Sequence, residues 1–148
     1  MTEMSTAITI AAPAATIYAF AAATERWPAI LPHYRAVRLV AQDGPVRTLA
    51  MAAWRDAIPI SWVAEQIDDP ERPSIRFRHV RGWTRGMDVE WHFEPVEGGT
   101  RVTIEHRLQF KFPFASEWLG RHVVGDFFVE NVARKTLARM KTLAESAA

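Results

Sequence analysis

Two histidines, His79 and His106, are the residues of this 148-residue chain whose type and setting best suit chemistry. In the run from Arg101 to Phe110, Val102, Ile104, Leu108 and Phe110 share one parity, and His106 sits among them. From Ile75 to Val80, His79 shares its parity with Ile75 and Phe77. Strand side chains alternate between faces, so both imidazoles join apolar rows. A titratable ring in such a row must find a partner, meet a cavity or cost stability. On a cavity wall it can pass a proton near neutral pH. Burial lowers its pKa and favours the neutral form that acts as a base. Tyr34 follows the Pro32 turn and can bring a hydroxyl to a cavity mouth. His106, His79 and Tyr34 are therefore the candidate catalytic residues. Against this stands the plainer reading, two core histidines bonded to backbone groups and a tyrosine packed at a rim.

Six Trp and eight Phe supply wide, flat apolar surface. Trp54, Trp62, Trp91 and Trp118, with Met87, Ile104, Phe128 and Val132, are the candidate ligand-binding residues. Met87, Val89, Trp91 and Phe93 share a parity; that of Trp62 depends on any bulge near Pro59. A pocket lined by such rings suits a flat or polycyclic ligand, although most of them would serve equally as core. Arg76, Arg78, Arg107, Asp88 and Glu90 fall on outward parity and read as a solvated face.

These residues need elements to position them. Met4–Ile10 alternates as a strand, and Pro13 is expected at the first position of a helix carrying Ile17, Phe20 and Ala21. Pro28 and Pro32 bracket one helical turn, Trp27–Leu31. Strands are predicted at Ala36–Val40, Val46–Trp54, Ile58–Ile67, Ile75–Val80, Met87–Glu94 and Arg101–Phe110, with turns at 42–45, 68–73, 82–86 and 95–100. Pro59 predicts an edge or a bulge. From Ser116 to Ala144 the period becomes helical, with Phe128, Val132, Thr136, Met140 and Leu143 in one stripe and a break near Gly120 or Gly125. Short connections make the sheet antiparallel, and one long helix makes the class α+β in a single domain, residues 1–148.

Composition sets further bounds. Net charge is +1 without a basic stripe, so nucleic acid is not an expected partner. Cysteine is absent, which removes disulfides and thiolate sites. No apolar run reaches a membrane span, and no basic segment precedes the first apolar residues, so a cytoplasmic location is expected. No glycine-rich phosphate loop, nucleophile elbow or H-E-x-x-H motif occurs, so no cofactor and no metal are expected. His79 and His106 share the inner face, so a zinc site built from the two is the metal alternative that parity allows.

Taken together, Glu25-Arg26-Trp27-Pro28-Ala29-Ile30-Leu31-Pro32-His33-Tyr34, Gly86-Met87-Asp88-Val89-Glu90-Trp91-His92-Phe93-Glu94-Pro95, Gly98-Gly99-Thr100-Arg101-Val102 and the long terminal helix resemble the START-like superfamily. Within it they resemble the polyketide cyclase/dehydrase group, which includes aromatase/cyclases and Coq10-like proteins. The resemblance implies a helix-grip (START/Bet v 1-like) fold. In that fold a curved antiparallel sheet wraps a long C-terminal helix, two short helices follow the first strand, and an apolar cavity lies between sheet and helix. It implies a hydrophobic small-molecule partner: a polyketide, a quinone or a lipid. In aromatase/cyclases it further implies a cavity Arg on the strand matching Trp62–Asp68. This chain reads Ala64-Glu65-Gln66-Ile67 there, with no Arg. Two functions follow: an enzyme that cyclises and dehydrates a polyketide, or a non-catalytic quinone or lipid carrier of Coq10-like type. A third, a module whose groove takes an apolar segment of a partner protein, has less behind it. Oligomeric state is left open.

Overall fold

A computed structural model describes residues 2–82, 84–108 and 131–147. Strand β1 (Thr2–Ile10) leads to α1 (Ala14–Ala22), a short 3-10 turn (Thr24–Arg26) and α2 (Trp27–Ile30). Six strands follow: β2 (Tyr34–Asp43), β3 (Val46–Arg55), β4 (Ile58–Asp69), β5 (Ser74–Arg81), β6 (Asp88–Val96) and β7 (Gly99–Leu108). Helix α3 (Arg134–Ala147) closes the described chain, entered through a π-type turn at 131–133. The predicted helix start at Ser116, its breaks and the last two residues of the Arg101–Phe110 strand lie outside the described residues.

The sheet is antiparallel throughout, in the order β1-β7-β6-β5-β4-β3-β2. The first strand thus pairs with the last, from Thr2↔Leu108 to Ile10↔Thr100. Helices α1 and α2 carry the chain from one edge of the curved sheet to the other. The inner face is the apolar parity of each strand. Leu49, Met51 and Ala53 line it on β3, Ile75, Phe77 and His79 on β5, and Thr100, Val102, Ile104, His106 and Leu108 on β7. Thr136, Leu137, Met140 and Ala144 of α3 pack down onto this face.

Some expectations shift by small amounts with clear causes. Pro13 is the residue before α1 rather than its first turn, because its ψ of 147° is extended. The turn expected over 95–100 shrinks to Glu97-Gly98, since Pro95 and Val96 still pair with Thr100 and Gly99. Gly99 lets the end of β1 approach β7: a Cβ there would lie 2.0 Å from the Ile10 carbonyl oxygen. Pro59 faces β3 through Trp54, while β4 meets β5 only from Val63 onward. Its missing N–H therefore falls on a local edge. A bulge follows at Val63/Ala64.

A buried polar knot fixes the helical corner to the sheet. Gln66, fully buried, donates to the Ala22 carbonyl (3.1 Å) and to Asp68 Oδ1 (2.7 Å), and accepts from the Thr24 hydroxyl at 2.5 Å. Arg47 reaches the same Ala22 carbonyl at 2.8 Å, Asp68 at 3.1 Å, and Glu25. Gln66→Leu removes the acceptor of the Thr24 hydroxyl and a donor to Asp68, and leaves the Ala22 carbonyl to Arg47 and Thr24, so urea unfolding should report a loss of about 2 kcal/mol. A variant as stable as wild type would show the knot to be dispensable.

Candidate functional site

Beneath the centre of the sheet, against the first turn of α3, lies one apolar cavity. Its wall includes Trp27, Tyr34, Trp62, Phe77 and Trp91, and between these rings stand His79, His106 and Thr136. Its free volume is about 40 Å³. That is room for a few waters at roughly 10–15 Å³ each, so the aromatic rings themselves fill most of the space.

Register brings the two histidines together. Val89 of β6 pairs with Phe77 on one side and His106 on the other, and His79 lies two residues beyond Phe77 on the same face. The His79 ring is stacked on Trp62, 5.5 Å between centroids and 4° between planes. Its Nδ1 lies 2.8 Å from the Thr84 hydroxyl, in the turn between β5 and β6. That bond and that stack fix the ring in position and orientation. Burial, reinforced by the neighbouring His106, pushes His79 down to about 3, and burial alone pushes His106 down to about 4. Both are neutral at pH 7. Tyr34 packs edge-on to Trp27 at 5.0 Å, and burial holds its phenol above the usual range.

A second polar group stands at the end of the cavity nearest the start of α3. Thr136 donates to the Val132 carbonyl at 2.8 Å, which uses its single hydrogen. The bond to His33 Nε2 (2.8 Å) is then one it accepts. One hydroxyl thereby ties the α2–β2 connection to α3. Burial, and then the ammonium of Lys135, push His33 down to about 4.

The candidate residues divide clearly. His106, His79, Tyr34, Trp62, Trp91, Ile104 and Val132 line the one cavity. Met87 is fully buried but is not on that wall. Trp54 is a correction. Met51 and Ala53 take the inward parity of β3, so Trp54 points outward, 39% exposed, with the Arg35 guanidinium 5.1 Å from its ring centre. Trp118 and Phe128 lie outside the described residues. Thr136, Thr84 and His33 were not singled out in the sequence. Thr136 looked like one more member of a helical stripe, and His33 like an isolated histidine.

No charged side chain lines the described wall. Gln66 occupies the strand where the resemblance implies an Arg, and the polar knot holds it away from the cavity. On the outer face Glu90, His92 and Glu105 come within metal-ligating distance of one another. Arg107 lies 3.1 Å from Glu90 and 3.8 Å from Glu105 and already supplies their countercharge. Among the described residues no helix is long and apolar enough to cross a membrane.

Comparison with known proteins agrees with this architecture. A family model described as polyketide cyclase / dehydrase and lipid transport matches residues 10–141. The granaticin polyketide synthase bifunctional cyclase/dehydratase of Streptomyces violaceoruber is 31% identical over 104 residues, 68% of this chain and 32% of that protein. The chain thus spans about a third of that curated relative. Among solved structures, TTHA0849 from Thermus thermophilus superposes with a TM-score of 0.80 at 24% identity, covering 99% of both chains. The Zhui aromatase/cyclase from Streptomyces sp. R1128 gives a TM-score of 0.80 at 16% identity, covering 97% of this chain and 93% of that one. At these identities the structures establish the helix-grip fold.

Proposed function

Because the chain belongs to the polyketide cyclase/dehydrase and lipid transport family, we propose that it binds a flat, hydrophobic small molecule of aromatic or polyketide type between sheet and terminal helix, and that it promotes aldol ring closure and dehydration there. The observation that carries this is the cavity wall: Trp27, Tyr34, Trp62, Phe77 and Trp91 stand there with aliphatic side chains, and His79, His106 and Thr136 stand among them. Apolar rings bury a flat ligand, and a few fixed polar groups orient it. The void is about 40 Å³, so binding a ring system requires lining side chains to turn aside.

Ring closure removes a proton beside one carbonyl, joins that carbon to a second carbonyl and protonates the new oxygen. Rings with pKa values of about 3 and 4 are weak bases, but their neutral N–H groups are good donors. A negative charge growing on a substrate oxygen beside them raises their pKa and strengthens those bonds as the charge forms. Their assigned role is therefore to hold the enolate and alkoxide oxygens; the α-proton passes through water to the new alkoxide, and dehydration then expels that oxygen as water together with a second α-proton.

A carrier that binds a quinone or lipid without turnover is favoured by one observation: no charged group lines the described wall to stabilise an oxyanion. Native mass spectrometry of the protein as purified, together with titration by the uncharged fluorophore N-phenylnaphthylamine, tests the shared premise. Expected are a co-purified aromatic, quinone or lipid mass and saturable one-to-one fluorophore binding that the ligand displaces. Absence of both would remove the binding reading in either form.

A further inference from the structure

Outside the cavity, at the same end of the molecule, lies an open cleft of about 530 Å³ lined by Pro32, His33, Trp54, Asp56, Ala57 and Lys135. The two spaces share one partition. His33 faces the cleft, Thr136 faces the cavity, and the His33 Nε2–Thr136 Oγ1 contact of 2.8 Å joins them. The start of α3 serves both sides, with Lys135 on the cleft and Val132, Ala133 and Thr136 on the cavity. We propose that the cleft is the vestibule through which a planar aromatic ligand reaches the cavity, and that the His33 imidazole is its gate. The proposal rests on the reading of the cavity as a ligand site.

The backbone around the gate is held. The His33 carbonyl accepts from Trp54 N at 2.7 Å, and Tyr34 N donates to the Leu31 carbonyl at 3.0 Å. Opening is therefore rotation of one side chain rather than movement of a loop. A hydrogen-bonded imidazole suits this task. Turned outward, it exchanges the Thr136 hydroxyl for water and escapes the desolvation that depresses its pKa. Moving Trp27 or Leu31, both almost wholly buried, would instead expose apolar surface with nothing gained in return. Across the mouth, Lys135 Nζ lies 3.3 Å from Asp56 Oδ1. With side chains 43% and 70% exposed, that pair exchanges readily with solvent and narrows the mouth without sealing it. The exposed Trp54 indole beside it offers a stacking surface to a flat molecule before passage.

The test is stopped-flow binding of N-phenylnaphthylamine to the wild type, His33→Ala and His33→Phe. His33→Ala should raise the association and dissociation rate constants together, at least tenfold each, with Kd held within about threefold. His33→Phe puts at the gate a ring that water does not satisfy, and should slow both steps. Circular dichroism and thermal melts confirm folding of each variant, and either one decides alone if the other fails. Equal rates in the wild type and the folded variants would overturn the gate and leave the cavity reading intact. No binding by any of the three would overturn both.

Discussion

Between pH 7 and pH 5 the protein is expected to lose about 3–4 kcal/mol of stability through two side chains, His79 and His106. The sign follows from their folded pKa values, about 3 and about 4, which lie below the ordinary value of 6.5. Below pH 6.5 the unfolded chain takes up protons on both imidazoles while the folded chain refuses them. Their contribution is fully present above pH 6.5. It is lost progressively as pH falls through 5 and is spent once the folded values are passed. Each ring accounts for about 2 kcal/mol at pH 5. His33, also lowered, acts in the same direction. The measurement is the urea midpoint at pH 7.5 and pH 5.0 for the wild type and His106→Gln. The variant should lose about a third of the pH dependence that the three lowered rings share, because glutamine remains neutral throughout. A wild-type midpoint that does not move over this interval would mean that the rings are already solvated in the folded state.

The same burial explains which parts of the site could be read from the sequence. His79 and His106 were legible because β5 and β7 alternate strictly, so parity alone assigned their face. Trp54 was legible too: Leu49, Met51 and Ala53 form the inward set of β3, and its place one residue past Ala53 points it outward. Its aromatic character placed it with the cavity residues against that parity. The family resemblance supplied the helix-grip arrangement from the order of elements, which composition alone does not determine. Thr136 and His33 were beyond reach for a different reason. They are 103 residues apart, and their hydrogen bond exists only because α3 crosses the α2–β2 connection. A helical stripe marks Thr136 as buried but says nothing of what it faces. Cavity volume was equally hidden, since it depends on how Trp27, Trp62 and Trp91 share one space.

Removing both cavity imidazoles at once separates the enzyme from the carrier. If the ring N–H groups hold the oxygens on which charge develops, His106→Ala should lower turnover of a synthetic linear triketone at least tenfold. His79→Gln/His106→Gln should lower it about a hundredfold, the loss that follows removal of fixed donors to an oxyanion. The loss should fall on kcat, because the neutral ketone in the ground state gains little from the donors that the enolate needs. Binding of N-phenylnaphthylamine should change far less, since the rings of Trp27, Trp62 and Trp91 remain to bury it. A carrier predicts the reverse: no turnover above background in the wild type, and affinity that tracks the aromatic wall rather than the histidines. The Gln/Gln variant also sets this apart from a folding defect. It leaves two neutral polar groups of similar reach, and it should be more resistant to acid than the wild type while being less active. Stability and turnover moving in opposite directions is a result that loss of structure does not produce. Unchanged turnover in the folded double variant would take catalysis away from His79 and His106 and leave them as buried, hydrogen-bonded members of the core.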